Sequence, residues 1–276
     1  MAGTEAHPGA HGEEIPLYPF FGGGRSLVFA HDYPASSAQP QHRHDVAQLL
    51  HAVRGVMRVT TPGGYWVVPP GRGMWIPAWM PHAIHMVGPV SMCTLYVAAH
   101  AMPAPCEACA VVVVPALLQR LLGELALHDP RDAAPPGARQ RAMEDLLLIE
   151  IAGMEQLPLH VALPADARLL RLCEEVLARP QDARTLEDHA DRVGASPRTL
   201  RRLFQQQLGM GFGAWRQQVR LMEALAKLAE REPVAKVAAD LGYAAPSAFI
   251  AMFRRSMGRS PRGYLPESAA DPPAAN

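Results

Sequence analysis

The chain has 276 residues, 49% of them hydrophobic, and 26 Lys or Arg balance 26 Asp or Glu to give a formal net charge of zero. This length and composition are sufficient for two packed domains. The sequence has no apolar stretch near 18 residues, and no basic segment leads into an apolar one at the N-terminus. It therefore predicts neither a membrane span nor a secretory signal, and favours a cytoplasmic protein.

The first 24 residues are rich in Gly, Pro and His and show no periodicity, so they are predicted to form a disordered tail, as are residues 269–276. From residue 25 to 115 the chain consists of short apolar segments separated by Gly and Pro. This pattern predicts an antiparallel β sandwich or barrel. The predicted strand segments are 26–33, 47–53, 56–60, 65–68, 74–76, 82–87 and 91–98.

Histidines are concentrated in this β region, which holds seven of the chain's 12. His42 and His44 are two residues apart, so on a strand both side chains lie on one face, and Gln48 joins them if the strand continues regularly. His82 would come from a separate strand. Three imidazoles and an amide oxygen that converge in this way can hold one divalent transition metal. The alternative is a metal-free pocket in which the same residues bind an organic effector.

The spacing of His42, His44, Gln48 and Gly55 resembles the first motif of the cupin superfamily, with Gln in place of the usual Glu. Pro77 and His82 resemble the second motif. The region from about residue 43 to 86 also resembles the cupin sensor domain found on one group of AraC-type regulators. The resemblance implies a cupin-like barrel that senses a small effector, a metal or both. Replacing the carboxylate by an amide weakens the expected affinity for a dication.

Residues 116–180 are predicted to be a helical linker or dimerisation region. A first leucine stripe and a second apolar stripe recur at helical spacing, separated by the proline-rich segment 129–137. Such helices can pack on the barrel or pair with a second subunit. A further helix is predicted at 166–178, with a hinge at 179–181. The stripes are Leu117, Leu118, Leu121, Leu122 and Leu125, and then Met143, Leu146, Leu147, Glu150, Ile151 and Met154.

The C-terminal region, residues 181–268, contains a structural unit used twice. Residues 195–200 match residues 244–249 at an offset of 49, and the matches continue at apolar positions such as Phe204 with Phe253 and Trp215 with Tyr264. Each copy predicts a helix, a glycine-containing turn and a second helix, at 186–207 and 234–257. This is the helix-turn-helix plan, whose second helix enters the DNA major groove.

The first copy carries clear helix signals. Thr185 is a predicted N-cap with Asp188 three residues on, Gly194 ends that helix, and Ser196 caps the next. In the second helix the apolar residues share one face and the polar residues share the other, which suits a surface that reads bases or phosphates. A solvated basic face without a ligand is the simpler alternative, and the duplication argues against it. The polar face holds Arg198, Arg201, Arg202 and Gln205.

These residues resemble the DNA-binding domain of the AraC/XylS family of bacterial transcription regulators over roughly residues 183–265. The resemblance rests on the runs 196–204, 208–210, 215–216, 220–221, 241–243, 253–255 and 258–261. It implies that Arg198, Arg201 and Arg202 contact bases, that the protein binds double-stranded DNA and RNA polymerase, that it activates transcription, and that it forms a homodimer. The predicted DNA-contacting residues are Arg198, Thr199, Arg201, Arg202 and Gln205, with Ser247, Ala248, Ala251, Arg254 and Arg255 in the second copy.

The second recognition helix departs from the family pattern, because Ala251 stands where many relatives carry an arginine. Its outward residues predict apolar contacts from Ile250 and Ala251 and phosphate contacts from Arg254 and Arg255. The first copy is therefore expected to dominate base discrimination. A connecting helix predicted at 215–230 is about 24 Å long and would set the copies into successive major-groove turns, roughly 34 Å apart.

Charge is unevenly distributed along the chain. Residues 181–268 carry 14 Lys or Arg against 9 Asp or Glu, whereas residues 1–180 carry 12 against 16. A basic C-terminal third attached to a near-neutral partner domain is the footprint of a DNA-binding module. Two alternatives remain open: a cupin oxygenase or isomerase that uses a metal at His42, His44 and His82, and an architectural DNA-binding protein with a vestigial barrel. The sequence favours an α+β two-domain regulator that is not an enzyme.

Overall fold

The structure, a computed structural model, describes residues 14–15, 25–101, 108–128, 136–157, 159–258 and 260–264. The chain divides into two units, residues 1–160 and residues 161–276. The C-terminal tail predicted at 269–276 lies outside the described residues, as does the predicted N-terminal tail apart from Glu14–Ile15, which forms a strand. Within the described residues, no helix is long and apolar enough to cross a membrane.

The first unit is built on a sheet that is antiparallel except at one edge. β7 pairs with β2, β3 and β4, while β4 also pairs with β5 and β6. β6 pairs with β8, β8 pairs with β9, and β1 lies parallel to β3. The strands are β1 (Glu14–Ile15), β2 (Ser26–Tyr33), β3 (Ala38–His44), β4 (Ala47–Thr61), β5 (Gly64–Val68), β6 (Arg72–Ile76), β7 (His82–Val97), β8 (Ala110–Val113) and β9 (Gln156–Leu157), followed by β10 (His160–Ala162) at the unit boundary.

Two long strands replace four of the predicted short ones. The segments predicted at 47–53 and 56–60 are both in β4, and those at 82–87 and 91–98 are both in β7. Gly55 and Gly88 have positive φ values of 77° and 70°, and the β4–β7 register shifts between Ala52 and Val56. The glycines therefore mark an irregularity shared by two paired strands, where the sequence pattern predicts a break between separate strands.

The two faces of this sheet bury different side chains. α1 (Ala116–Leu125) and α2 (Ala138–Ala152) cover one face and form a core with Leu49, Leu95 and Val97. Because side chains alternate along a strand, the neighbours Gln48 and Tyr96 lie on the opposite face. A fully buried leucine contributes roughly 1.5–3 kcal/mol, so the helix-covered face stabilises the sheet while the other face is available for polar groups.

The second unit consists of helices. α4 and α5 form the first helix-turn-helix and α7 and α8 the second, with α6 between them. The predicted caps are present: Thr185 and Asp188 form a reciprocal capping box, Ser196 Oγ accepts from the Thr199 amide at 3.1 Å, and Gly194 is left-handed. The helices are α3 (Ala167–Ala178), α4 (Leu186–Val193), α5 (Pro197–Leu208), α6 (Phe212–Ala229), α7 (Val234–Asp240), α8 (Pro246–Met257) and α9 (Pro261–Tyr264).

A segment at residues 180–184, which we call the strap, connects α3 to the first helix-turn-helix. Arg220 of α6 donates to the Pro180 carbonyl at 2.8 Å, and Arg216 donates to the Arg184 carbonyl at 2.8 Å. The Arg220 guanidinium also lies 5.5 Å from the Tyr243 ring centroid, just after the turn of the second copy. The sequence predicts a hinge at residues 179–181, but the chain divides after His160 and the strap is bonded to α6.

Substituting Gly242 should test how tightly the strap packs on the second copy. Gly242 and its repeat counterpart Gly194 have left-handed φ values of 75° and 69°, so alanine costs about 1–2 kcal/mol of backbone strain at each. The two positions differ in their surroundings. A Cβ added at Gly242 would lie 2.7 Å from the Gln181 carbonyl oxygen, whereas a Cβ added at Gly194 would meet no atom within 4 Å. Gly242→Ala should therefore lower the free energy of unfolding by roughly 1–3 kcal/mol more than Gly194→Ala does.

Calorimetric melting of the full-length wild type and both variants measures this difference. Gly194→Ala is the matched control, since it carries the same strain without the collision. Equal losses in melting temperature for the two variants would show that the strap moves aside and does not constrain the second copy.

Candidate functional site

The three histidines predicted to converge do so in the structure, and we call them the histidine site. His42 and His44 come from β3 and His82 from β7, where the register places His82 directly opposite His42. All three are buried, and one ligating nitrogen from each lies within 4.8 Å of the others. Tetrahedral coordination at a 2.0–2.1 Å bond length needs nitrogens roughly 3.4 Å apart, so a modest inward movement would let all three bind one ion.

Backbone hydrogen bonds fix the orientation of two of these rings. His42 Nδ1 lies 2.7 Å from the Pro40 carbonyl oxygen, and His82 Nδ1 lies 2.9 Å from that of Met80. A carbonyl only accepts, so in each neutral ring Nδ1 carries the proton and Nε2 carries the lone pair. His82 Nε2 is buried without a hydrogen-bond partner among the described residues. The rings are therefore arranged as metal-binding histidines usually are.

Gln48 lies next to the histidine site, but on a different strand from the one that the sequence predicts. The strand does not continue from His44, because β3 ends there and Gln48 belongs to β4. Gln48 lies opposite Tyr96 on β7 and donates from Nε2 to the Tyr96 hydroxyl at 3.3 Å. The Tyr96 ring in turn contacts His44, with ring centroids 5.2 Å apart. Tyr96 thus links the amide to the histidines.

Sequence reasoning missed Tyr96, because an aromatic residue in an apolar strand reads as core. The sequence alone does not indicate that Tyr96 bonds to Gln48, since that contact depends on the β4–β7 register. A second aromatic residue, Phe29, meets the Tyr96 ring edge-on at 6.0 Å. Trp79 is exposed, and its backbone amide donates to the His44 carbonyl at 2.6 Å.

Burial keeps two of the three imidazoles, those of His42 and His82, neutral near pH 7. Desolvation lowers the pKa of His42, and it lowers the pKa of His82 to about 4, with the neighbouring charge of His42 as a second cause. Desolvation also raises the pKa of the Tyr96 hydroxyl, which therefore stays protonated. His42, His82 and Tyr96 therefore present neutral groups to an occupant.

The polar face of α5 is exposed, as the sequence predicts. Arg198, Arg201, Arg202 and Gln205 are exposed, while Leu200, Leu203, Phe204 and Leu208 are buried. Arg201 forms an ion pair with Glu187 of α4, and Arg202 donates to Gln206 Oε1 at 2.7 Å. Thr199 is half-buried, and its hydroxyl is 2.9 Å from that of Ser196, so it belongs to the helix cap as well as to the predicted surface.

The second recognition helix, α8, has a different outward face. Phe249, Met252 and Phe253 are buried in its core-facing stripe. The outward side offers small and apolar groups followed by two guanidinium groups at the C-terminal end. Its exposed residues are Ser247, Ala248, Ile250, Ala251, Arg254 and Arg255.

The stability of the metal-free protein should depend on pH through His82. The unfolded chain binds a proton at the ordinary pKa of 6.5, whereas the folded chain binds it only near 4. Stability is therefore lost as the pH falls from 6.5 towards 4, by about 3 kcal/mol for this group. Chemical denaturation in the presence of a chelator across that range measures the loss.

His82→Gln should reduce that pH-dependent loss, because glutamine takes up no proton. His85→Gln, which removes an exposed imidazole from the same strand, is the matched control and should leave the pH dependence near that of the wild type. If His82→Gln and the wild type lose stability in parallel, the acid sensitivity comes from other groups.

Two family models match the chain. Residues 24–179 match the AraC-like ligand binding domain, and residues 189–266 match a helix-turn-helix domain. Among solved structures, ToxT from Vibrio cholerae O395 aligns over 87% of this chain and 97% of its own, with 9% identity and a TM-score of 0.37. The C-terminal domain of AraT, a response regulator from Geobacillus stearothermophilus, aligns over 38% of this chain and 93% of its own, with 26% identity and a TM-score of 0.35.

Curated relatives are regulators as well. The HTH-type transcriptional regulator NimR of Escherichia coli K12 is 30% identical over 226 residues, which is 82% of each chain. The arabinose operon regulatory protein of Salmonella typhimurium is 31% identical over 124 residues, 44% of this chain and 43% of its own. The chain therefore belongs to the AraC family of DNA-binding transcription regulators, with a ligand-binding domain ahead of its helix-turn-helix domain, and it is not an enzyme.

Proposed function

We propose that the protein is an effector-responsive transcription activator whose cupin-like first unit binds a small molecule, a divalent transition metal or both at the histidine site. The observation that carries this proposal is the buried convergence of His42, His44 and His82, with one ligating nitrogen of each within 4.8 Å of the others. A structural core has no need of three imidazoles with inward nitrogens. As a regulator of bacterial type that acts on promoters together with RNA polymerase, the protein would work in the cytoplasm.

The donor set suits a borderline metal ion. Neutral imidazoles favour Zn, Ni, Cu or Fe, whereas Mg and Ca prefer oxygen ligands. A bound ion would supply a positive charge and open coordination positions to which an effector can bind. His42, His44 and His82 would hold it, and Gln48 and Tyr96 lie next to the same site.

Occupation of the site regulates transcription only if the occupant prefers one conformational state. A ligand that binds two states equally shifts nothing, so the effector must bind more tightly to the arrangement that activates. Titrating purified protein with Zn²⁺ or Co²⁺ and measuring promoter binding with and without the metal tests this link. A metal that binds without changing promoter binding would leave the site without a regulatory role.

The DNA surface that we propose is formed by the exposed faces of α5 and α8. In α5, Arg198, Arg201 and Arg202 suit bidentate contacts to guanine, with Thr199 and Gln205 beside them. In α8, the small residues suit close approach to thymine methyl groups, and the two arginines suit phosphates. α6 has 18 residues and is about 27 Å long, which suits two copies placed in successive turns of the major groove. The α8 residues are Ser247, Ala248, Ala251, Arg254 and Arg255.

Alanine at Arg198 or Arg202 should weaken binding to the operator by about 1–3 kcal/mol, because each variant loses the hydrogen-bonded contact of one arginine to a base. Arg254→Ala should instead weaken binding to all sequences and reduce the salt dependence, as expected for a phosphate contact. Fluorescence anisotropy with operator and scrambled duplexes over a range of salt measures both effects.

The matched control is Arg120→Ala, which removes the same charge from an exposed position on α1 in the first unit. It should leave both affinities near those of the wild type. Operator affinity that is unchanged in both α5 variants would remove α5 from the recognition surface.

We also propose that the α1–α2 pair of the first unit forms the homodimer contact. Its apolar residues divide into two sets. One set packs into the core, as Leu118, Leu122 and Leu147 do. The other set remains exposed: Leu117 and Ile149 have exposed fractions of 46% and 66%. Large apolar side chains left in water on one element favour association with a second copy. The exposed set is Leu117 of α1, Leu127 shortly after the end of α1, and Leu146 and Ile149 of α2.

The double variant Leu146→Ser, Ile149→Ser should shift the protein from dimer to monomer, because it removes apolar area from the contact without touching the core. Sedimentation velocity at several concentrations measures the shift. Val53→Ser, at an apolar residue that is exposed on β4, is the control and should leave the dimer intact. A double variant that sediments as the wild type does would place the dimer contact elsewhere.

A further inference from the structure

The charge balance of the histidine site restricts what can occupy it. Its donors are three imidazoles, an amide and a phenol, and none of these groups is a carboxylate. Among the described residues, no carboxylate or thiol joins the three histidines within 4.8 Å. A divalent cation held there would keep its full charge while losing much of its hydration. Burying uncompensated charge is costly, and proteins normally pair it.

Replacing the amide of Gln48 by a carboxylate would supply the missing negative charge. Its side chain is 2% exposed, and Oε1 has no hydrogen-bond partner within the described part of the chain. Its Nε2 donates to the Tyr96 hydroxyl. The negative charge that a dication needs is thus not provided by the side chains described at this site.

We infer that the effector is a small organic monoanion, such as a carboxylate, that binds together with the metal and provides this charge itself. The inference rests on the proposed metal occupancy of the histidine site. The anionic oxygen occupies an open coordination position on the metal. The organic part lies beside Tyr96, whose ring contacts His44. The effector class is therefore a small organic acid.

This arrangement couples the two occupants. The metal binds weakly without the anion because its charge is uncompensated, and the anion binds weakly without the metal because it loses the ion to which its oxygen binds. By linkage each tightens the other by the same factor, on the order of tenfold or more. The site then responds to the pair and not to either component alone.

The experiment uses full-length protein and Co²⁺, whose visible spectrum reports the coordination of the metal. Metal affinity and spectrum are measured with benzoate and with benzamide, which have the same ring but differ in charge, and with acetate and acetamide. We expect the two anions to change the spectrum and tighten metal binding on the order of tenfold, and the two amides to do neither.

Gln48→Glu is the decisive variant, because it installs the missing carboxylate with almost no change in volume. It should bind Co²⁺ more tightly than the wild type without any anion, and the effect of benzoate should largely disappear. Gln156→Glu, which adds the same charge at an exposed position on β9, is the control and should behave as the wild type does. His82→Ala should abolish the anion effect and weaken Co²⁺ binding.

The outcomes separate this inference from the proposed function on which it rests. If Co²⁺ binds to the wild type, His82→Ala weakens it, and benzoate and benzamide have equal effects, the metal site stands and the organic-acid inference is overturned. If neither the wild type nor Gln48→Glu binds Co²⁺, the metal site fails and this inference fails with it. If anions tighten metal binding equally in the wild type and in Gln48→Glu, Gln48 is not the origin of the charge deficit and the inference is wrong.

Discussion

The register of β7 against its neighbours is the constraint on which the ligand-binding unit depends. One strand places His82 opposite His42 of β3 and Tyr96 opposite Gln48 of β4. Because side chains alternate between the two faces, a slip of one residue would send these groups into the face that α1 and α2 cover. The apolar residues Leu49 and Leu95 occupy that covered face. The same packing that stabilises the sheet therefore holds the histidine site in place.

Several features of the fold were predictable because they depend on local chemistry. The caps at Thr185 and Ser196, the left-handed Gly194 and the apolar stripe of α5 each follow from residues within one or two turns. The repeat then predicts the second copy from the first. The convergence of the three histidines was also predicted from spacing and resemblance, although their shared burial required the strands to pair.

The features that were not predictable are set by contacts between distant residues. Gly55 and Gly88 indicate breaks between separate strands in isolation, but they form an irregularity once β4 and β7 pair. Tyr96 and Gln48 are 48 residues apart, so no short motif reveals their hydrogen bond. The bonds from Arg216 and Arg220 to the strap carry no local signal either, because the acceptors are backbone carbonyls. Proline and glutamine at residues 180–181 favour a hinge locally, and the arginines of α6 override that preference.

The two helix-turn-helix copies share their buried residues but not their exposed ones. α5 presents long hydrogen-bonding side chains, whereas α8 presents small ones and two C-terminal guanidinium groups. If the two copies had identical exposed residues, exchanging the two DNA segments that they contact would leave the contacts unchanged. On the DNA surface that we propose, unequal copies give the chain a head and a tail, so a single protomer would fix the direction in which it lies along a duplex. One protomer alone would then distinguish upstream from downstream.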